Sequence, residues 1–353
     1  MNPNFITIIN ASEDDRRDLF LSTANRLGTT IQNIEKDFWV CWVLDLLFNG
    51  KQDNEPRLLF KGGTSLSKAY GLISRFSEDI DITVFREDLG IDFDIKNLGE
   101  LTDNQRNKKL KKIKKACQKY IQDDLKKRLT TQIATAFNAN KVKVDITIDI
   151  AQDDPDQQTL LIHYPSVINN QQFYVQPSVK IEGGAKSALD PHQPTSIKPY
   201  IADDTEFDSF VISNITTIDA ERTFWDKIII LHGLRSYFDN NGELQRQGNR
   251  VSRHYYDIFK LLQANIGQKA KTNYKLAINC ARHAEIFFYR PDHDLHLARP
   301  GSFKLAPTTE MISVLKQDYQ AMSNMIFGDV PSFSEVTQVI QELEQEIGLS
   351  SPS

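Results

Sequence analysis

Phe60-Lys61-Gly62-Gly63-Thr64-Ser65-Leu66 and Ser77-Glu78-Asp79-Ile80-Asp81-Ile82 are the two stretches on which the reading of this chain turns. Leu58, Leu59 and Phe60 form a short apolar run that reads as a buried strand, and Gly62-Gly63 reads as a tight turn. Residues 65 to 74 then carry Leu66, Ala69, Tyr70 and Ile73 at helical spacing. Asp79 to Val84 alternates strictly: Asp79, Asp81 and Thr83 point one way, while Ile80, Ile82 and Val84 point the other. The order is strand, glycine turn, helix, and a strand with a carboxylate face.

Upstream, Ser12 with Asp15 three residues on is a capping-box arrangement that announces a first helix. Ile31, Ile34, Phe38, Trp42 and Leu46 recur at helical spacing until Asn49-Gly50, so two amphipathic helices are expected before the first strand. Downstream, residues 103 to 138 read as one long helix or two, with Leu110, Ile113, Cys117, Ile121, Leu125 and Leu129 as the apolar stripe. Val142, Val144, Ile146 and Ile148 alternate with polar residues as a strand, and Phe173 to Glu182 is another extended candidate. From about residue 217 the pattern is mostly helical, with turn material at Asn240-Asn241-Gly242 and a loop from Arg290 to Pro307. This predicts an α+β fold: a core of strands and helices with a basic helical insertion over residues 1–215, and a mainly helical part over residues 216–353.

The 353 residues, 40% hydrophobic and 25% charged, are enough for one large domain or two modest ones. The N-terminus lacks a basic stretch followed by an apolar run, and no eighteen apolar residues follow one another, so secretion and a membrane partner are not expected. Cys41, Cys117 and Cys280 stand far apart in apolar helical patterns, which suits a reducing, cytoplasmic setting better than a disulfide framework. Residues 106 to 128 hold eleven Lys or Arg against two Asp, a local charge of +9 that leaves −14 for the rest of the chain. Such a run makes a polyanionic partner worth testing, although a solvated helix face reads the same way.

Aspartates at i and i+2 of one strand lie roughly 6 to 7 Å apart at their backbones, close enough to share a divalent-metal site. Asp79 and Asp81 meet that requirement. A glycine turn at a helix start allows close backbone approach and offers amide donors to phosphate, and Lys61, Gly62, Gly63, Thr64 and Ser65 supply one. Neither feature is specific alone, since diglycine is usually a turn and DxD is often an edge. On a helix beginning at Asp219, Lys227 shares a stripe with Phe224, Ile228 and Leu231, and a buried ammonium requires an anion. The bland alternative is a lysine snorkelling at a core edge. Asp257, between Tyr255-Tyr256 and Ile258-Phe259, needs a partner when buried: Lys227, a metal, a nucleotide, or a structural pairing with Arg253. Asp292-His293-Asp294-Leu295-His296 reads as a loop rather than a metal site, and no P-loop, GxGxxG, GxSxG or HExxH is present.

The order of strand, glycine turn, helix and DxD strand resembles the core of the polymerase-β-like nucleotidyltransferases, which implies a mixed sheet with flanking helices followed by a helical C-terminal part. Residues 60–70 (FKGGTSLSKAY) and 75–82 (RFSEDIDI) further resemble the first two motifs of the AbiEii/AbiGii nucleotidyltransferase toxin family. Residues 221–227 (ERTFWDK) and 253–257 (RHYYD) are similar to its helical motifs, and the likeness extends over 298–301, 318–319 and 325–328. The resemblance implies a Mg²⁺- or Mn²⁺-dependent transfer of NMP from an NTP, with Asp79 and Asp81 as metal ligands, Lys227 as an essential lysine and Asp257 as a further catalytic aspartate. A third metal carboxylate belongs to that fold class, and Glu182 is preferred over Asp145; Lys180 shares the Glu182 face and suits a phosphate contact. The resemblance also implies an RNA acceptor such as a tRNA 3′ end, a toxin role in a toxin–antitoxin or phage-defence pair, and a cognate antitoxin protein. Transfer to a protein or small molecule, and nucleotide or RNA binding without turnover, stay open as alternatives.

Overall fold

Ile31–Asn49 is the helix around which the first half of the chain is arranged, because its residues from Asn33 to Leu47 are buried on every side. The computed structural model describes residues 2–91, 95–168 and 177–349. It divides into two compact units: Met1–Ala69 with Phe76–Thr217, and Tyr70–Arg75 with Ile218–Ser353.

The first unit opens with three helices, α1 (Asn4–Asn10), α2 (Glu13–Leu27) and α3 (Ile31–Asn49). Two were expected; the additional one is α1, whose Phe5, Ile8 and Ile9 are buried. Ser12 caps α2 by accepting the Asp15 N–H at 3.1 Å, as its spacing foretold. Nor is α3 amphipathic. Phe38 packs against Phe5 and Phe20, and Trp39 stacks on Tyr164, so aromatic rings enclose it.

Among the described residues seven strands follow: β1 (Leu58–Lys61), β2 (Asp79–Val84), β3 (Thr147–Ile150), β4 (Thr159–His163), β5 (Ser178–Glu182), β6 (His192–Ile197) and β7 (Ile212–Ile218). Their order in one mixed sheet is β3-β4-β5-β2-β1-β7-β6, with β2 parallel to β5 and antiparallel to β1. The sheet is the expected one, with two differences. Residues 142–146 alternate but form no strand, because β3 is an edge strand that pairs with the five-residue β4 only from Thr147 onward. Of the extended candidate beginning at Phe173, residues 173–176 lie outside the described residues, and Ser178–Glu182 is β5.

Helix α4 (Gly62–Lys68) begins and ends earlier than the expected 65–74. Gly71 takes a left-handed φ of +62°, and Ser74 and Arg75 instead bond as an extended segment: Arg75 bridges Ile326, and Ser74 O accepts the Phe327 N–H at 2.7 Å. The basic insertion is two helices, α5 (Asp103–Lys119) and α6 (Lys126–Asn140), joined by a π-helical turn at Tyr120–Leu125. Leu110, Ile113, Cys117, Ile121, Leu125 and Leu129 form its buried stripe.

The second unit holds α7 (Ala220–Asn241), α8 (Ser252–Gln263), α9 (Asn265–Ala270), α10 (Tyr274–Phe287), α11 (Thr309–Ser323) and α12 (Phe333–Gly348). Trp225, Tyr255, Tyr256, Met311, Val336 and Ile340 are in its core, and a Ser332–Glu335 capping box starts α12. The three cysteines are buried and unbonded. No helix among the described residues is long and apolar enough to cross a membrane.

Candidate active site

The pairing of β1 with β2 sets Lys61 opposite Asp81, so the chain turns at Gly62 directly beside the second aspartate. Gly62 has φ +80°, and a Cβ there would fall 2.0 Å from Asp81 Oδ2. Only glycine accommodates both that backbone and that carboxylate. On the other side of β2, the parallel register sets Asp79 opposite Lys180 and Asp81 opposite Glu182. Residues paired in this way share one face of the sheet, which brings Asp79, Asp81 and Glu182 to one surface. Asp145 precedes β3, which β4 and β5 separate from β2. Glu182 Oε1 lies 2.7 Å from Lys180 Nζ; burial disfavours the Lys180 ammonium, but Glu182 outweighs it and raises the lysine pKa. Among the described residues no three His, Cys, Asp or Glu side chains converge as a ready-made metal cluster.

Thr64 and Ser65 are turned inward. The Thr64 hydroxyl donates to the Asp79 carbonyl and lies 2.9 Å from Ser77 Oγ, while Ser65 Oγ donates to Gly62 O at 2.9 Å. Both residues are fully buried, so their side chains brace the turn and the aspartate strand. Lys61, Gly62 and Gly63 keep partial exposure, leaving the backbone as the part of the turn that can meet a phosphate.

Sequence reasoning passed over Lys36. Three consecutive charged residues, Glu35, Lys36 and Asp37, are buried on α3, and each reaches a different element. Glu35 accepts from Ser166 Oγ and Val167 N, and Asp37 pairs with Lys68 at 2.7 Å and accepts from Tyr200 N. Lys36, 3% exposed, lies 3.3 Å from Glu78 Oε2, and Asp79 also attracts its ammonium. Burial nevertheless pulls its pKa below the ordinary lysine value. The signal was available: three charges in the middle of an apolar run.

In the second unit, α7 and α8 bring Lys227 to Asp257, with Lys227 Nζ 2.8 Å from Oδ2. Arg75 completes the group: its Nε donates to Asp257 Oδ1 at 2.7 Å and its Nη2 to Oδ2 at 2.8 Å. Asp257 is 0% exposed. Burial alone would raise its pKa, but Arg75 and Lys227 hold it far below the usual carboxylate range. Lys227 is pulled below its ordinary value, first by burial, with Arg75 and Arg253 adding to the effect and Asp257 opposing it.

The histidine-bearing segment is a strap. Its turns at Pro291–His293 and Leu295–Leu297 lie on α7: His293 packs on Gly233, where a Cβ would meet Nδ1 at 2.8 Å, and His232 Nε2 lies 3.2 Å from Asp294 O.

Aspartates alternating on a central strand beside a glycine turn are the arrangement that the resemblance to nucleotidyltransferases led us to expect. The chain belongs to the family described as the AbiEii nucleotidyl transferase toxin of type IV toxin–antitoxin systems, whose model matches residues 45–342. It is thus a nucleotidyltransferase toxin, and the family implies an NTP substrate and a cognate antitoxin. Among solved structures the chain is similar to MenT4, a nucleotidyltransferase toxin from Mycobacterium tuberculosis H37Rv, with a TM-score of 0.43 and 14% sequence identity over 94% of this chain and 98% of that one. No curated protein matches the chain significantly.

Proposed function

We propose that the protein transfers a nucleoside monophosphate from an NTP to an RNA acceptor, such as a tRNA 3′ end, using Mg²⁺ or Mn²⁺. In this reading it acts in the cytoplasm as the toxin of a toxin–antitoxin or phage-defence pair. The observation that carries the reading is the register of β2 with β5, which gives Asp79, Asp81 and Glu182 a common face. An all-oxygen donor set suits a hard divalent cation, and the recess left by Gly62 keeps room for the Asp81 carboxylate. Glu182 is preferred over Asp145 as third ligand; to serve, it exchanges its Lys180 partner. When bound, the metal neutralises the departing pyrophosphate and favours ionisation of the attacking hydroxyl.

The chain's own residues do the remaining work. Asp79, Asp81 and Glu182 would hold the metal, and the backbone from Lys61 to Ser65 would receive the triphosphate. Lys227 is assigned to neutralise phosphate charge, since a fixed cation acts strongly where the dielectric is low. Asp257 orients Lys227. It is unsuited to proton removal, because both its oxygens are engaged and its pKa is held far below neutrality, whereas an efficient base lies near the operating pH. An RNA acceptor is supported by α5 and α6, which bury their apolar stripe and leave Lys108, Lys111, Lys115, Lys119 and Lys127 exposed.

The test is incubation of the protein with each α-³²P-labelled NTP, Mg²⁺ and total cellular RNA, beside an Asp79→Ala/Asp81→Ala control. A labelled RNA band that disappears in the control and with EDTA is expected. Label on protein instead of RNA would overturn the acceptor, and no label anywhere would return weight to binding without turnover. Charge reversal at Lys111, Lys115 and Lys119 is expected to weaken RNA labelling and flatten its salt dependence by about 0.7 to 0.9 in logarithmic slope for each phosphate that the protein no longer neutralises.

A further inference from the structure

Asp81 and Glu182 are direct partners in the ladder of β2 and β5, and like charges placed opposite one another in a sheet repel. Lys180 relieves that repulsion. It stands two residues before Glu182 on the same face of β5, and its Nζ lies 2.7 Å from Glu182 Oε1. Of its own cross-strand neighbours, Leu161 on β4 carries no charge and Asp79 on β2 does. Asp79 and Asp153 also attract its ammonium. All these residues belong to the first unit. The Lys180 and Glu182 side chains are 29% and 41% exposed, so water competes for both ends of the pair and a divalent cation, which binds carboxylate oxygen more strongly than an ammonium in water does, can replace the lysine.

We infer that Lys180 is the resident counter-ion of the metal site: it holds Glu182 while no divalent ion is bound, and metal binding is an exchange in which the Glu182 carboxylate leaves the ammonium for the ion. Lys180 thereby sets the metal concentration that the enzyme requires without itself being a ligand. The inference rests on the assignment of Glu182 as third ligand given above and deepens it. Lysine suits the task because its ammonium is compact and strongly hydrated on a flexible stem, so that on release it returns to water. Arginine would keep the charge but hold both carboxylate oxygens as a fork, and so resist the exchange.

The test measures Mn²⁺ binding to the full-length protein by electron paramagnetic resonance, at fixed pH and ionic strength and without nucleotide. Wild type is compared with K180M, K180R, E182Q and K180M/E182Q, with thermal melts to show that each is folded and K180Q in place of K180M if that variant is not. K180M is expected to tighten Mn²⁺ binding by about fivefold or more, the factor at the upper end of what an exposed ion pair contributes, and to lower the Mg²⁺ concentration for half-maximal transfer in step. K180R is expected to bind Mn²⁺ no more tightly than wild type, and E182Q more weakly. In the E182Q background, where the lysine no longer holds a ligand, its loss is expected to change the affinity by less than about twofold. Unchanged affinity in K180M, or equal tightening with and without Glu182, would overturn the inference while Glu182 stood as a ligand. Tightening in K180R as large as in K180M would assign the effect to packing rather than charge and overturn it as well, as would failure of both wild type and K180M to take up Mn²⁺. An E182Q protein that binds Mn²⁺ as wild type does would instead remove Glu182 as third ligand, and the inference with it.

Discussion

Gly62 lies so close to Asp81 that the two positions are one structural unit: the carboxylate occupies the space that a side chain at residue 62 would need. Gly62→Ala must therefore push Asp81 off the sheet face as well as strain a backbone at φ +80°. A destabilisation of about 1–3 kcal/mol is expected from overpacking and strain. Nucleotide transfer should fall much further, by at least about 100-fold, because displacing a reactive group by an ångström is enough for a loss of that size. Thermal melts read with single-turnover transfer rates check this. Activity falling only as far as the folded fraction would show that Asp81 tolerates displacement.

Thr64 makes a different prediction, because its hydroxyl serves the protein rather than the substrate. It donates to the carbonyl of Asp79, the first aspartate of the strand. Thr64→Val keeps the shape but removes the hydrogen bond to the Asp79 carbonyl, a loss of about 0.5–1.5 kcal/mol. The substitution is expected to lower stability and kcat while leaving the KM for NTP within about twofold, a difference of less than 1 kcal/mol. Thr64→Ser should restore both. A rise in KM with unchanged stability would instead assign the hydroxyl to phosphate binding.

What the sequence disclosed follows from range. The DxD alternation, the glycine turn and the Ser12 cap depend on residues within a few positions of one another, and all are present. Lys227 and Asp257 came from helical stripes and family likeness, and the structure pairs them. Arg75 was read only as part of a motif, because its partner is 182 residues away and no periodicity joins them. Glu182 and Asp145 looked alike as Val-Lys-Xaa-acid strands; sheet register sets Glu182 beside Asp81, and register is invisible in a single sequence. The strand expected from Val142 to Ile148 forms only from Thr147 for the same reason, since alternation without a partner strand makes no ladder.

Lys36 was hidden by its surroundings, and its burial makes it testable. Burial works against its charge, and its partner Glu78 retains partial solvent contact, so neutralising the lysine removes a desolvation cost together with an ion pair. Lys36→Met is accordingly expected to change stability by less than about 1 kcal/mol, as for a weak ion pair. Transfer should nonetheless fall by about 10-fold or more, since a cation acting on Asp79 from a dry site is removed. Denaturant unfolding and steady-state transfer check the two halves separately. Activity unchanged at unchanged stability would make Lys36 a packing residue only.

Acid should loosen the second unit through His232. The ring is fully buried; its Nδ1 accepts the Lys304 N–H at 3.1 Å and its Nε2 faces Asp294 O, so the neutral form with hydrogen on Nε2 satisfies both neighbours. Burial, aided by Lys304 and His296 and opposed by Asp294, lowers its pKa below the ordinary value. In the unfolded chain the same histidine titrates near about 6.5, so below that pH the unfolded state binds more protons. Stability is thus full above the unfolded pKa, declines as pH falls through it, and levels off below the folded pKa. The slope approaches about 1.4 kcal/mol per pH unit where one proton separates the states. Burial lowers His254 and His293 as well, so the wild-type slope is shared. Urea unfolding at pH 7.5, 6.0 and 5.0 is expected to show a smaller decline for His232→Leu than for wild type, even though the substitution strands the Lys304 N–H and weakens the protein at every pH. Parallel declines in the two proteins would mean that His232 accepts its proton in the folded state as readily as in the unfolded one, and that the strap over α7 does not depend on its neutral form.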